Sequence, residues 1–79
     1  MTHKYNIHGH NVSFEEDAKK GAEHLAYDLS LQEAEVYFQQ AKFKGKAQFE
    51  DDQDRDYTLI RSKDGAYSIE RRKKGGWFW

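Results

Sequence analysis

The segment from His24 to Phe38 constrains the fold most, because it holds the end of one helix, a tight corner and the start of a second helix. Its centre, Ser30-Leu-Gln-Glu33, has the spacing of a capping box, in which a serine and a glutamate satisfy each other's backbone N–H groups. The second helix is predicted to run from Leu31 to about Lys42. Gly45 is a plausible stop, since glycine readily adopts the left-handed conformation beyond a helix end. With so short a corner, the two helices are expected to form a hairpin.

The first helix is predicted from a similar signal, because Ser13-Phe-Glu-Glu16 repeats the capping-box pattern. Gly21 lies inside this helix, where glycine costs about 1 kcal/mol relative to alanine, and glycine at this position would permit a neighbour to pack closely. Both helices carry one apolar stripe at helical spacing. The predicted stripes are Phe14, Ala18, Ala22, Leu25 and Leu29 in the first helix, and Leu31, Ala34, Tyr37, Phe38 and Ala41 in the second.

Strands are predicted on both sides of the helices. Residues 3–12 alternate loosely as a short strand that ends in a turn at 8–11, and Lys46 to Glu50 forms another strand. After an acidic loop at 51–56, Tyr57–Arg61 and Ala66–Arg72 are joined through Asp64-Gly65, a strong hairpin signal. The predicted fold is therefore α+β: a short N-terminal strand, a helical hairpin, then a three- to four-stranded antiparallel sheet.

The composition predicts one small domain spanning residues 1–79. At 37% hydrophobic and 34% charged residues, with 12 aromatics, the chain is polar yet able to form a core. The absence of cysteine excludes disulfides and thiolate chemistry. Neither a signal peptide nor an apolar run of about 20 residues is evident, so a cytoplasmic protein that contacts no membrane is expected. We expect neither a cofactor nor a metal centre.

In the order of its motifs, the chain resembles the BrnT toxins of the RelE/ParE-like group over residues 14–72. Three parts carry the resemblance: Phe14-Glu-Glu-Asp17 with Lys19, then Leu29-Ser-Leu-Gln-Glu-Ala34 with Val36-Tyr-Phe38, and the strand from Tyr57 to Gly65. The resemblance implies a β-α-α-β-β-β order, action on RNA and an antitoxin partner. BrnT-like chains usually have Lys-His-Gly where this chain has Ala26-Tyr27-Asp28, and an arginine where Asp56 stands. A relative without activity therefore remains an alternative.

The resemblance places catalysis on the sheet, where metal-free RNA cleavage needs an acid, a base and cations that stabilise the phosphorane charge. We expect Arg61 and Arg71 to lie near each other across the hairpin and to bind phosphate. Tyr57 or His24 would then act as acid or base, and Arg72, Lys73 and Lys74 would bind RNA. The alternative is a solvated hairpin edge whose charges prevent aggregation.

Three further features have more than one interpretation. His3, His8 and His10 cluster near the N-terminus and would suit Zn²⁺ or Ni²⁺ if a strand placed them on one face, or they belong to a flexible turn. The acidic loop lacks an EF-hand pattern and is expected to be solvated or to repel nucleic acid from that side. The last three residues dock on the helices, enter a homodimer or partner interface, or stack on bases; they are Trp77, Phe78 and Trp79. A non-enzymatic protein-interaction module of a small bacterial or phage protein is the competing function.

Overall fold

The computed structural model describes residues 2–72, in which a five-stranded sheet carries two helical segments on one face. The fold is α+β, as the sequence predicts. No helix within these residues is long and apolar enough to cross a membrane. The elements are β1 (His3–Ile7), β2 (His10–Phe14), a 3₁₀ turn (Glu16–Ala18), α1 (Lys19–Glu23), a π-helical turn (His24–Asp28), α2 (Leu31–Lys44), β3 (Lys46–Glu50), β4 (Asp56–Arg61) and β5 (Tyr67–Arg72).

The sheet is mixed, and it matches the predicted strand order only roughly. Its strand order is β1-β2-β5-β4-β3, with β2 parallel to β5 and every other pair antiparallel. After β2 the chain crosses the sheet through the helices, enters at the far edge as β3 and returns inward as β4 and β5. This crossover is what makes β2 and β5 parallel, in place of the expected antiparallel sheet of three or four strands.

The N-terminal region holds two strands where one was predicted. His8 and Gly9 both have positive φ, 51° and 88°, and form the two-residue loop of a hairpin between β1 and β2. Ser13 lies within β2, opposite Lys4, so the predicted capping box at Ser13 is wrong. The first helical segment starts only at Glu16.

The first helical segment changes its winding twice, from 3₁₀ to α to π. Gly21 lies where this segment meets the sheet: a Cβ there would come within 2.7 Å of Tyr57 Cδ1. The Tyr57 ring is thus the close neighbour for which glycine leaves room at this position. The π turn closes with a hydrogen bond from the Leu29 N–H to the His24 carbonyl at 3.1 Å.

The second helix follows its predicted signals closely. Ser30 Oγ accepts a hydrogen bond from the Glu33 N–H at 3.2 Å, and Glu33 Oε1 accepts one from the Ser30 N–H at 2.9 Å, which confirms the capping box. The helix extends to Lys44 and ends at Gly45, whose φ is 90°. The predicted apolar stripe of this helix is wrong at Leu31, because that residue is 55% exposed.

A single apolar core lies between the helical segments and the facing side of the sheet. The strand bounds near the C-terminus agree with prediction to within one residue, and β4 and β5 pair so that Leu59 faces Ile69. α2 packs on β3 and β4, whereas α1 packs on β2 and β5. The buried apolar residues are Ile7, Val12, Phe14, Ala18, Ala22, Leu25, Ala34, Phe38, Ala41, Ala47, Phe49, Tyr57, Leu59, Tyr67 and Ile69.

Candidate nucleic-acid interface

One end of the molecule is basic, where the α2–β3 corner meets the β4–β5 turn. The Arg61 N–H donates to the Gly45 carbonyl at 3.0 Å, and Lys46 lies opposite Ile60 in the sheet. Segments 42–46 and 61–66 together contribute five cations and a single carboxylate, Asp64. The cations are Lys42, Lys44, Lys46, Arg61 and Lys63. We call this group the basic end.

The lysines of the basic end are available to a ligand. All four are exposed, and within residues 2–72 none of them forms an ion pair with a carboxylate. The Asp64 carboxylate accepts hydrogen bonds from the Ser62 hydroxyl and the Ala66 N–H, which lower its pKa. The Asp64 carboxylate therefore takes part in the hydrogen bonds of the β4–β5 turn.

Arg61 is held in place at the basic end by Tyr67. Its guanidinium carbon lies 5.4 Å from the centroid of the Tyr67 ring, within cation–π range. Arg61 Nε is enclosed and has no hydrogen-bond partner among the residues that the structure describes. The guanidinium is thus oriented by packing.

Phe43 adds an exposed aromatic ring to the basic end. Its side chain is 78% exposed, and Lys42 and Lys44 flank it in the chain. An aromatic face beside cations is the arrangement on which single-stranded nucleic acids stack their bases. None of the predicted site residues other than Arg61 belongs to the basic end, although the run Lys-Phe-Lys-Gly-Lys at 42–46 indicates a basic site with an aromatic residue.

The two arginines expected to act together are separated. Arg61 pairs with Tyr67 and Arg71 with Tyr57, so the two arginines are separated by four residue steps along the hairpin. At about 3.3 Å per residue this amounts to roughly 13 Å along the sheet. The prediction that Arg61 and Arg71 adjoin across the hairpin is therefore wrong.

Tyr57, predicted as an acid or base, lies in the core with no exposed surface. Its hydroxyl donates to Asp51 Oδ2 at 3.0 Å. Burial raises the pKa of Tyr57, and its hydrogen bond to Asp51 raises it further. In this arrangement the hydroxyl is occupied by a protein carboxylate.

Asp51 is the centre of a buried network in the loop that the sequence predicted to be solvated. Only 6% of the residue is exposed, and it accepts from the Gln53 N–H at 2.9 Å, the Arg55 N–H at 3.0 Å and Arg55 Nε at 2.7 Å, besides Tyr57. Burial alone would raise the pKa of Asp51, but these hydrogen bonds outweigh it and lower the pKa to about 2. The network fixes the β3–β4 loop.

The remaining predicted cations lie away from the basic end or outside the described residues. Arg72 Nε donates to the Tyr57 carbonyl at 3.4 Å, and its Nη2 lies 3.9 Å from Asp56 Oδ1. Arg71 is exposed. The RNA-binding candidates Lys73 and Lys74 lie outside residues 2–72, as do the partner-binding candidates Trp77, Phe78 and Trp79.

The N-terminal histidines have separate partners, so they do not form the metal site considered as an alternative. His3 Nε2 lies 2.8 Å from Glu16 Oε1, His8 Nε2 lies 3.0 Å from the Leu25 carbonyl oxygen, and His10 Nε2 lies 3.0 Å from Glu35 Oε2. His24, the fourth histidine, lies on the π turn with its Nδ1 3.0 Å from Asp28 Oδ2.

In comparisons with known proteins, no family model, no curated protein and no solved structure matches this chain. The assignment of function therefore depends on the geometry above and on the resemblance in motif order.

Proposed function

We propose that this protein is a cytoplasmic RNA-binding relative of the RelE/BrnT-like toxins that binds single-stranded RNA at its basic end and does not cleave it. The observation that carries the proposal is the exposed Phe43 ring among four exposed lysines without carboxylate partners in the described part of the chain. Lysines would contact phosphates, and Phe43 would stack on a base.

The absence of cleavage follows from where the candidate catalytic residues lie. Arg61 is at the basic end, Arg71 is four positions away along the hairpin, and the Tyr57 hydroxyl is enclosed against Asp51. His24 faces Asp28 on the π turn. General acid–base catalysis requires such groups within hydrogen-bond reach of one substrate, which this distribution does not provide.

The first test compares two triple variants in gel retardation of a single-stranded RNA at low salt. One variant carries Lys→Gln at 42, 44 and 46, and its control carries Lys→Gln at 4, 19 and 20. Each changes the formal net charge from −1 to −4, because three positive charges are removed. If each of the five cations of the basic end contacts one phosphate, a plot of log K against the logarithm of salt concentration should have a slope of about −3.5 for the wild type. The first variant keeps two of these contacts, so its slope should be about −1.4, whereas the control variant should keep the wild-type slope. Equal losses in both variants would contradict a localised site.

A second pair of variants isolates stacking. Phe43→Ala is expected to weaken binding by roughly 5- to 150-fold, which corresponds to about 1–3 kcal/mol per stacked base. Tyr27→Ala removes another exposed aromatic, 77% accessible, and should leave the affinity unchanged.

The same gels report cleavage: the RNA should stay intact, and fragments formed in EDTA would disprove the non-catalytic part of the proposal.

A protein-interaction module is the second candidate, favoured by the outer face of α2. Val36 and Phe43, which are 64% and 78% exposed, lie seven residues apart and so share one side of the helix. An antitoxin, another protein or a second copy of the chain would bind there. Failure of the wild-type protein to retard RNA would favour this candidate.

A further inference from the structure

A cleft of about 320 Å³ opens at the other end of β3 and β4, between the first helical segment and the β3–β4 loop. Its lining is rich in groups that can ligate a cation: Glu23, Asp28, Asp51 and Asp52, besides Lys20, Tyr27 and Arg55. The two cations have partners of their own. Lys20 Nζ lies 3.6 Å from Glu23 Oε1, and Arg55 Nε lies 2.7 Å from Asp51 Oδ2.

Two residues of the cleft lining, Asp28 and Asp52, bring ligand atoms close to His24, which does not itself line the cleft. His24, Asp28 and Asp52 each offer one ligand atom, and these atoms all lie within 4.8 Å of one another. A zinc ion with bonds of about 2.0–2.1 Å in tetrahedral geometry holds its ligands about 3.3 Å apart. His24 Nδ1 and Asp28 Oδ2 are 3.0 Å apart, so only a small movement of exposed carboxylates is needed.

The fold fixes the positions from which these ligands project. The π turn presents His24 and Asp28 on the same side, and π turns in helices occur frequently at functional sites. Asp52 comes from a loop whose neighbouring backbone N–H groups, of Gln53 and Arg55, are bound to Asp51. Two separate elements therefore contribute ligands to one point.

We propose that His24, Asp28 and Asp52 form a binding site for a divalent transition-metal ion of the zinc class. One imidazole nitrogen and two carboxylate oxygens suit Zn²⁺, and three protein ligands leave a fourth position open to the cleft. Mg²⁺ and Ca²⁺ prefer oxygen ligands throughout, so an imidazole ligand disfavours them. The inference does not depend on RNA binding, since none of its residues belongs to the basic end.

The test is calorimetric titration of the untagged protein with ZnCl₂ near pH 7.5. The wild type should bind one Zn²⁺ per chain. His24→Gln and Asp52→Asn should each weaken binding at least about tenfold. The matched controls are His3→Gln, which changes a histidine paired with Glu16, and Asp54→Asn, which changes an exposed aspartate of the same loop. Neither control should change the affinity more than twofold.

A second measurement keeps the proposal testable if a variant is unstable. In NMR spectra of the wild type, Zn²⁺ should shift the ring resonances of His24 and leave those of His3, His8 and His10 unchanged. Absence of a one-to-one site, affinity retained in both ligand variants, or shifts confined to the other histidines would each overturn the proposal. So would Mg²⁺ or Ca²⁺ binding as tightly as Zn²⁺.

Discussion

Asp51 shows how one side chain determines the shape of a loop that its composition would leave solvated. Its two carboxylate oxygens accept hydrogen bonds from Gln53, Arg55 and Tyr57, linking the loop to the core. A buried carboxylate with several donors is stabilised in its charged form. The loop is therefore most stable while Asp51 is ionised.

The lowered pKa of Asp51 predicts a specific dependence of stability on pH. Folding lowers the pKa of Asp51 from an ordinary 3.8 to about 2. Ionised Asp51 therefore contributes to the free energy of unfolding above pH 4, and this contribution is lost as the pH falls through 2. A shift of this size corresponds to about 2 kcal/mol. Urea denaturation in EDTA should show Asp51→Asn less stable than the wild type by about 2–3 kcal/mol at pH 7, with a much smaller difference near pH 2.

A neighbouring carboxylate provides the control for that measurement. Asp54 is exposed in the same loop, and Asp54→Asn should track the wild type across the pH range. A constant difference between Asp51→Asn and the wild type from pH 7 to pH 2 would mean that ionisation of Asp51 does not stabilise the fold.

At the residue scale, features that depend on neighbours in the chain could be predicted from the sequence, whereas contacts between distant residues could not. The cost of glycine inside a helix marked Gly21 as a position that would permit close packing, but the neighbour itself, the Tyr57 ring, is evident only in the fold. The burial of Asp51 left no comparable signal, since its partners become evident only once the loop has folded. Arg61 and Arg71 were placed together because their positions suggested a shared hairpin, but the register separates them.

The two serines at predicted helix starts show what a capping motif depends on. Ser30 and Ser13 are each followed by glutamate three positions later, yet only Ser30 caps a helix. Ser13 instead pairs with Lys4 in the β1–β2 hairpin and with Ser68 of β5. A local pattern cannot exclude pairing with a strand more than 50 residues away.

This contrast predicts opposite sensitivities to the same substitution. Ser30→Ala removes the hydroxyl that accepts from Glu33 and should lower the free energy of unfolding by about 1 kcal/mol. Ser13→Ala removes only a 3.5 Å contact to the Tyr67 carbonyl and should cost less than about 0.5 kcal/mol. Thermal and urea denaturation measure both, and a larger effect at Ser13 would contradict the strand assignment.

At the element scale, bounds near the C-terminus were predictable because their signals are local. The Asp-Gly turn, the glycine after α2 and the alternation in β3 each act within a few residues. The parallel pairing of β2 with β5 was not predictable, since it depends on the crossover between distant segments. The extra N-terminal strand was missed because His8-Gly9 lacks the usual Asn-Gly or Asp-Gly signal.

Across the whole molecule, charge is segregated along β3 and β4. The basic end lies where β3 begins and β4 ends, and the proposed metal ligands lie at the loop that joins the other ends of these strands. A strand of five or six residues spans about 17–20 Å. Exposed charges at that separation are largely screened at physiological salt, where the Debye length is about 8 Å.

The two proposed sites should therefore act independently. Asp52→Asn should leave the RNA affinity within twofold of the wild type, and Lys→Gln at 42, 44 and 46 should leave the Zn²⁺ affinity within twofold. Raising salt from 50 to 200 mM should weaken RNA binding steeply, since binding releases counterions, and should affect Zn²⁺ binding far less. A Zn²⁺-dependent change in RNA affinity would require an equal change in Zn²⁺ affinity on adding RNA, because coupling between sites is reciprocal. Observing that pair of changes would show that the sheet couples the two ends.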